Sequence, residues 1–185
     1  MAVRMTDNRH LYVLKGLVIT SLIYASVAAI YGQTRQVFTS SGTFTVPDGV
    51  TTIIVECWGA GGAGGGTGIN NARGGGGGAG GAYARKTLSV SPGEMYTVSV
   101  GGVTLGTLSA GATGSPSWFG SPSLVYAEGG AGGAAPNGGT APGGTGSAAN
   151  SIGDVVFPGG NGANGTATYS GGGGGGAGSG GAGGN

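Results

Sequence analysis

Apolar and polar residues alternate in several short stretches between residues 36 and 128, and this two-residue period predicts β-strands. The stretch at residues 51–58 is rich in β-branched residues and largely apolar on both faces, which indicates a central strand. In contrast, Tyr96, Val98 and Val100 share one face of residues 95–100, as expected for a sheet with one buried side. Further strands are predicted at residues 43–47, 83–90, 117–119 and 124–128.

Turn signals between these stretches suggest how they connect. Pro92 and Gly93 predict a turn that would join residues 83–90 and 95–100 in a hairpin. No segment after residue 36 has a helical period. The pattern therefore predicts an all-β fold, an antiparallel β-sandwich of jelly-roll-like type, spanning residues 36–128.

Residues 1–35 have a different character. Arg4, Arg9 and Lys15 precede an uncharged apolar run at residues 16–31, an order typical of a secretory signal, and small residues at 26–29 would suit a signal peptidase. The run is shorter than the ~20 residues that span a bilayer comfortably, so cleavage is favoured over permanent anchoring.

Three other interpretations of residues 1–35 remain open. One is an uncleaved hydrophobic anchor helix, which would give the protein membrane contact only through residues 16–31. Another is a type IV prepilin processing site after Gly16, although Ser21 stands where that family has an acidic residue. The third is a buried N-terminal helix, although its apolar residues would lie all round the helix.

Glycine accounts for 50 of the 185 residues, and 46 of these glycines follow Trp58. Collagen is excluded because glycine does not recur at every third position. Only 7% of residues are charged, too few for a chain that charge repulsion keeps open. Because glycine loses much conformational entropy on folding, such runs can fold only if backbone contacts replace side-chain burial.

Extended left-handed helices with three residues per turn supply such contacts, because each exposed N–H and C=O can pair with a neighbouring helix. Residues 129–185 are therefore predicted to form packed polyglycine II helices, with bulkier stretches as loops at their ends. Asn-Gly pairs at Asn137, Asn161 and Asn164 predict tight turns with positive φ. The alternative for this region is a disordered glycine-rich linker.

Composition and motifs argue against several functional classes. A net charge of +1 gives no electrostatic basis for binding nucleic acid, and a single His and a single Cys disfavour disulfides and metal sites. Gly76, Gly78 and Gly81 fit a dinucleotide-binding pattern, but a strand follows them where that site needs a helix. Cys57 lies within a predicted strand and the acidic residues are scattered. No enzyme, cofactor or metal is therefore expected.

Several stretches together resemble a known family, the glycine-rich domain of phage tail-fibre and adhesin proteins and of some bacterial surface proteins. They are residues 42–50 (GTFTVPDGV), 55–62 (VECWGAGG), 80–84 (GGAYA), 91–93 (SPG) and 96–101 (YTVSVG). The glycine-dense tail is similar to the polyglycine II sandwich of phage receptor-binding adhesins. The resemblance implies a β-sandwich with packed polyglycine helices whose tip loops contact a bacterial surface receptor.

We therefore expect a non-enzymatic extracellular adhesion protein, secreted, membrane-tethered or part of a virion, whose partner is a protein or glycan receptor on a cell surface. Its recognition loops are predicted at residues 70–73, 148–157 and 161–169. The candidate receptor-binding residues are Asn70, Asn71, Arg73, Asp154, Asn161, Asn164 and Tyr169. One alternative is a structural protein that forms homo-oligomers, as a trimer, a fibre or a matrix. Another is a surface display module on a flexible tail.

Overall fold

The computed structural model describes residues 34–67, 74–137 and 139–185, together with the backbone of residues 3–7. Within these ranges the chain forms β-strands and no helix. The strands are β1 Val3–Asp7, β2 Arg35–Phe38, β3 Gly42–Thr45, β4 Thr52–Trp58, β5 Tyr83–Ser89, β6 Met95–Ser99, β7 Ser117–Phe119, β8 Val125–Ala127 and β9 Val155–Phe157. The hydrophobic helix expected at residues 16–31 lies outside the described residues.

Two antiparallel sheets contain all of these strands. One has five strands in the order β2-β1-β4-β5-β9, and the other has four in the order β3-β6-β7-β8. The all-β class and the antiparallel sheets are thus confirmed. As predicted, β4 is a central strand, because it pairs with β1 on one side and with β5 on the other.

One hydrophobic core draws residues from both sheets. Val55 and Cys57 of β4 are fully buried in it, as are Val98 of β6 and Phe119 of β7. The Phe119 ring stacks on Tyr96, with ring centroids 4.8 Å apart. The alternation predicted for β6 is confirmed, because Val98 is inaccessible to solvent.

The predicted hairpin between residues 83–90 and 95–100 is wrong. β5 pairs with β4 and β9 in the five-stranded sheet, whereas β6 pairs with β3 and β7 in the other. The turn itself is present, and Gly93 adopts the positive φ of 80° that favours glycine. Its N–H donates to the carbonyl of Val46. The turn therefore carries the chain from one sheet to the other.

Three strands were not predicted from the sequence. β1 lies inside the five-stranded sheet, β2 forms one of its edges, and β9 forms the other. β9 falls within residues 148–157, which were expected to form a recognition loop. Its residues Val155 and Val156 are β-branched, which favours an extended backbone that can pair with β5.

Candidate functional site

Glycine-rich segments continue the strands beyond one end of the two sheets. At this end Trp58 lies opposite Tyr83, Tyr83 opposite Phe157, and Ser117 opposite Ala127. Residues 59–66, 128–136 and 158–166 lead away from β4, β8 and β9, whereas residues 74–82 and 109–116 lead into β5 and β7. We call these five segments, together with residues 141–147 and 170–178, the glycine lattice.

Backbone hydrogen bonds join the lattice segments at every third residue. The segment at residues 74–82 is central: its N–H groups donate to two neighbouring segments, and its carbonyls accept from a third. These bonds are 2.9–3.1 Å long and run, donor first, 74→166, 77→163 and 80→160; 76→134, 79→131 and 82→128; and 171→75, 174→78 and 177→81. A period of three is that of an extended helix with three residues per turn.

The close packing of this central segment requires glycine at most of its positions. All of residues 74–82 are buried. A Cβ atom at Gly80 would overlap the carbonyl oxygen of Gly175, and one at Gly77 would overlap that of Gly172. At Gly176, in contrast, a Cβ would meet no atom within 4 Å. Glycine is therefore needed where a neighbouring backbone fills the space that a side chain would take.

The end of the lattice farthest from the sheets carries turns, and we call it the tip surface. Its described residues are 107–109, 137, 139–140 and 166–170. Gly66 donates to the carbonyl of Ser109 and Gly74 to that of Thr166, so these turns are tied to the lattice. Leu108 is 67% exposed and Tyr169 is 74% exposed. The tip surface therefore presents two large apolar side chains on anchored backbone.

The turn that carries Tyr169 is closed by its own hydrogen bonds. Thr166 N donates to the Tyr169 carbonyl at 2.7 Å, and Tyr169 N donates to the Thr166 Oγ1 at 3.0 Å. A threonine hydroxyl that bonds to nearby backbone favours a turn over continuation of the extended segment. The exposure predicted for Tyr169 agrees with this position.

Asn161 and Asn164 lie in the lattice segment at residues 158–166, so their placement in an end loop is wrong. The Oδ1 of Asn161 accepts from Gly146 N and the Oδ1 of Asn164 from Gly143 N, each at 2.9 Å. Among the residues that the structure describes, every residue with positive φ is a glycine, so the predicted Asn-Gly turns are absent there. The two amide oxygens act as lattice acceptors, as a backbone carbonyl would.

Asp154 lies at the opposite end of the lattice, beside β5. Its Oδ2 accepts from Thr87 N at 2.9 Å, and its own N–H donates to the Arg85 carbonyl at 2.7 Å. Eleven extended residues separate Gly74, near the tip, from Arg85, which is about 35 Å of chain. Asp154 and Tyr169 therefore do not belong to one site. Asn70, Asn71 and Arg73 lie outside the described residues.

Sequence patterns missed a cleft where the lattice meets the end of β4. Its volume is about 670 Å³, and its lining includes Arg35, Trp58, Val103, Thr104 and glycine backbone. This volume is in the usual range for ligand pockets. Trp58 at the end of an apolar strand was the available signal, but Arg35 and the loop at residues 101–104 are distant in sequence.

Titratable groups at the centre of β4 are buried. Burial, followed by the nearby Glu56 carboxylate, raises the pKa of the Cys57 thiol to about 12, so the thiol stays protonated at neutral pH. Glu56 is itself buried and its Oε1 accepts from the Tyr83 hydroxyl at 2.6 Å. A thiol in this state is a poor nucleophile.

Two further features were sought in the described ranges. No group of three His, Cys, Asp or Glu side chains there is arranged to hold a metal ion. Nor does that part of the chain contain a helix with the length and apolar character to cross a membrane.

Comparison with known proteins assigns the family. None of the curated proteins matches the chain. Residues 39–185, more than three quarters of the chain, match a family model described as a glycine-rich domain. The matched range begins just before β3 and includes all segments of the glycine lattice. The chain therefore belongs to the glycine-rich domain family.

Proposed function

We propose that the protein is a non-enzymatic extracellular adhesion protein that binds a receptor on a cell surface through its tip surface. The observation that carries the proposal is the exposure of Tyr169 and Leu108 on turns tied to the glycine lattice. Exposed aromatic and aliphatic side chains are the usual anchors of a binding surface. The resemblance to phage tail-fibre adhesins supports the same role and an extracellular or virion location.

The proposal includes a structural role for glycine. In this interpretation the lattice segments are packed polyglycine II helices, attached to a jelly-roll-like sandwich whose two sheets share the core. The three-residue hydrogen-bond period supports the first part, and the mixed origin of the core residues supports the second. Holding the tip turns in place before binding reduces the entropy that is lost when a receptor docks.

Substitution at the tip tests the receptor-binding role. Fluorescently labelled full-length protein would be added to a panel of intact bacterial strains, and binding would be measured by flow cytometry. On a strain that the unmodified protein binds, Tyr169→Ala and Leu108→Ala should each weaken binding by about tenfold or more, as expected for truncated anchor residues.

Met95 provides a matched control. It is 68% exposed, close to the value for Leu108, and it lies at the start of β6, away from the lattice end of the sheets. Met95→Ala should leave binding unchanged. Equal losses for Met95→Ala and Leu108→Ala, or full binding by the tip variants, would place recognition elsewhere.

A structural role as a fibre or matrix protein is the second candidate. It is favoured by the outer face of residues 170–178, where Gly172, Gly173 and Gly176 are exposed. These three glycines donate none of the backbone hydrogen bonds found in the described ranges. Another copy could extend the lattice at this face. Size-exclusion chromatography with electron microscopy would show polymers if this role is correct, whereas discrete monomers or trimers would exclude it.

A further inference from the structure

The N-terminal strand β1 occupies an inner position of the five-stranded sheet. Residues Val3–Asp7 pair with β4, and four of them also pair with β2, antiparallel in both cases. β2 and β4 therefore run parallel to each other, and β1 separates them. Without β1 a gap of one strand would remain, because strands in a sheet lie about 4.8 Å apart.

Backbone pairing with β1 uses groups on both of its neighbours. If β1 left, β2 and β4 would each expose a row of N–H and C=O groups, the feature by which sheets recruit further strands. β2 and β4 could not close the gap as an antiparallel pair. An extended strand antiparallel to both is therefore the shape that fits this position.

The connection between β1 and β2 does not fix which molecule supplies the strand. Thr6 lies opposite Arg35, so the connection has to bridge only one strand spacing, yet 26 residues separate Asp7 from Thr34. A hairpin loop normally has 2–5 residues. Fully extended, 26 residues reach about 85 Å. The signal-peptidase position predicted at residues 26–29 also lies within this connection.

We propose that the position between β2 and β4 is a strand-acceptor site whose partner is the Val3–Asp7 strand of a second copy of this chain. In the intact chain its own strand holds the site, because a short flexible tether gives an effective concentration in the millimolar range. A cut within residues 8–33 removes that advantage. The site then accepts a strand from another molecule at micromolar concentration.

The register also defines what the site selects. Directly opposite residues of an antiparallel pair share a face of the sheet. Val55 and Cys57 are both fully buried in the core and stand opposite positions 5 and 3 of the strand. The site therefore favours an extended strand with apolar residues at alternate positions. This inference does not depend on receptor binding by the tip surface.

Peptide capture by the full-length chain tests the proposal. A protease recognition sequence is inserted after residue 16, and the protein is cut, unfolded in guanidinium, and refolded with micromolar fluorescent peptide of residues 1–8. Gel filtration then measures the retained label. The cut protein should retain about one peptide per chain, and the uncut protein about a hundredfold less, because its own tethered strand competes.

A peptide carrying Met5→Pro is the matched control. Proline removes one ladder N–H, so this peptide should be retained about tenfold less than the natural one. If the cut protein refolds only when the natural peptide is present, that also supports the site. The proposal is overturned if the cut protein retains no label, if both peptides bind equally, or if the cut and uncut proteins bind equally. Failure to refold with either peptide would also contradict it.

Discussion

Asn164 accepts a hydrogen bond on its Oδ1 from the backbone N–H of Gly143, at a distance of 2.9 Å. This bond joins two lattice segments, at residues 158–166 and 141–147. Three residues earlier, Asn161 forms the equivalent bond to Gly146. Both side chains thus follow the three-residue period of the backbone bonds around them.

Removal of this amide should affect stability rather than receptor binding. Asn164→Ala deletes one hydrogen bond between segments and should lower the free energy of unfolding by about 0.5–1.5 kcal/mol. Asn164→Asp keeps the acceptor oxygen and should lose less. Denaturant titration measures both variants, and cell binding should be unchanged in each. A stable Asn164→Ala protein that no longer binds cells would restore Asn164 as a contact residue.

Two glycines of the lattice form a matched pair for testing its packing. Gly80→Ala places a methyl group on the carbonyl of Gly175, so it should cost about 3 kcal/mol or more of the free energy of unfolding. Gly176→Ala meets no atom within 4 Å, and it should be neutral or stabilise by up to about 1 kcal/mol. Thermal unfolding compares them. Equal melting temperatures would show that the backbones do not pack this closely.

Glu94 makes stability depend on acid pH. The Ser91 N–H, followed by the Tyr96 hydroxyl, donates to its carboxylate and lowers its pKa. Because the folded-state pKa is the lower one, this stabilisation is present above the ordinary pKa of about 4.3 and is lost as pH falls through the folded value. Glu94→Gln should reduce the loss of stability in that range, measured by denaturant titration.

Tyr96→Phe separates the two hydrogen bonds to Glu94. It removes only the second donor, so its pH profile should lie between those of the unmodified protein and Glu94→Gln. Identical acid profiles for all three proteins would show that Glu94 has no linkage to folding.

Local patterns were sufficient for individual strands but not for how the strands pair. The alternation and β-branched content of residues 51–58 correctly predicted β4, because both properties act within one strand. Pro92 and Gly93 correctly predicted a turn, but a turn signal does not determine which sheet each flanking strand joins. β1 was missed because its place depends on partners that are distant in sequence.

The candidate site was predictable only where a side chain lacked a nearby core. Tyr169 fits this description, since its neighbours are small or polar, and it is exposed. Asn161 and Asn164 resembled turn residues because each precedes glycine. Their role depends on Gly146 and Gly143, and sequence spacing does not show that these donors lie opposite. Asp154 was misplaced because β9 is too short to stand out.

Amide hydrogen exchange at residues 171–177, followed residue by residue by NMR, tests the central claim that the glycine lattice is an ordered scaffold. The N–H groups of Gly171, Gly174 and Ala177 donate to the central segment, whereas Gly172, Gly173 and Gly176 are exposed. The account predicts that exchange at the first three is about a hundredfold slower, or about 3 kcal/mol of opening free energy. Uniformly fast exchange along all of these residues would contradict it.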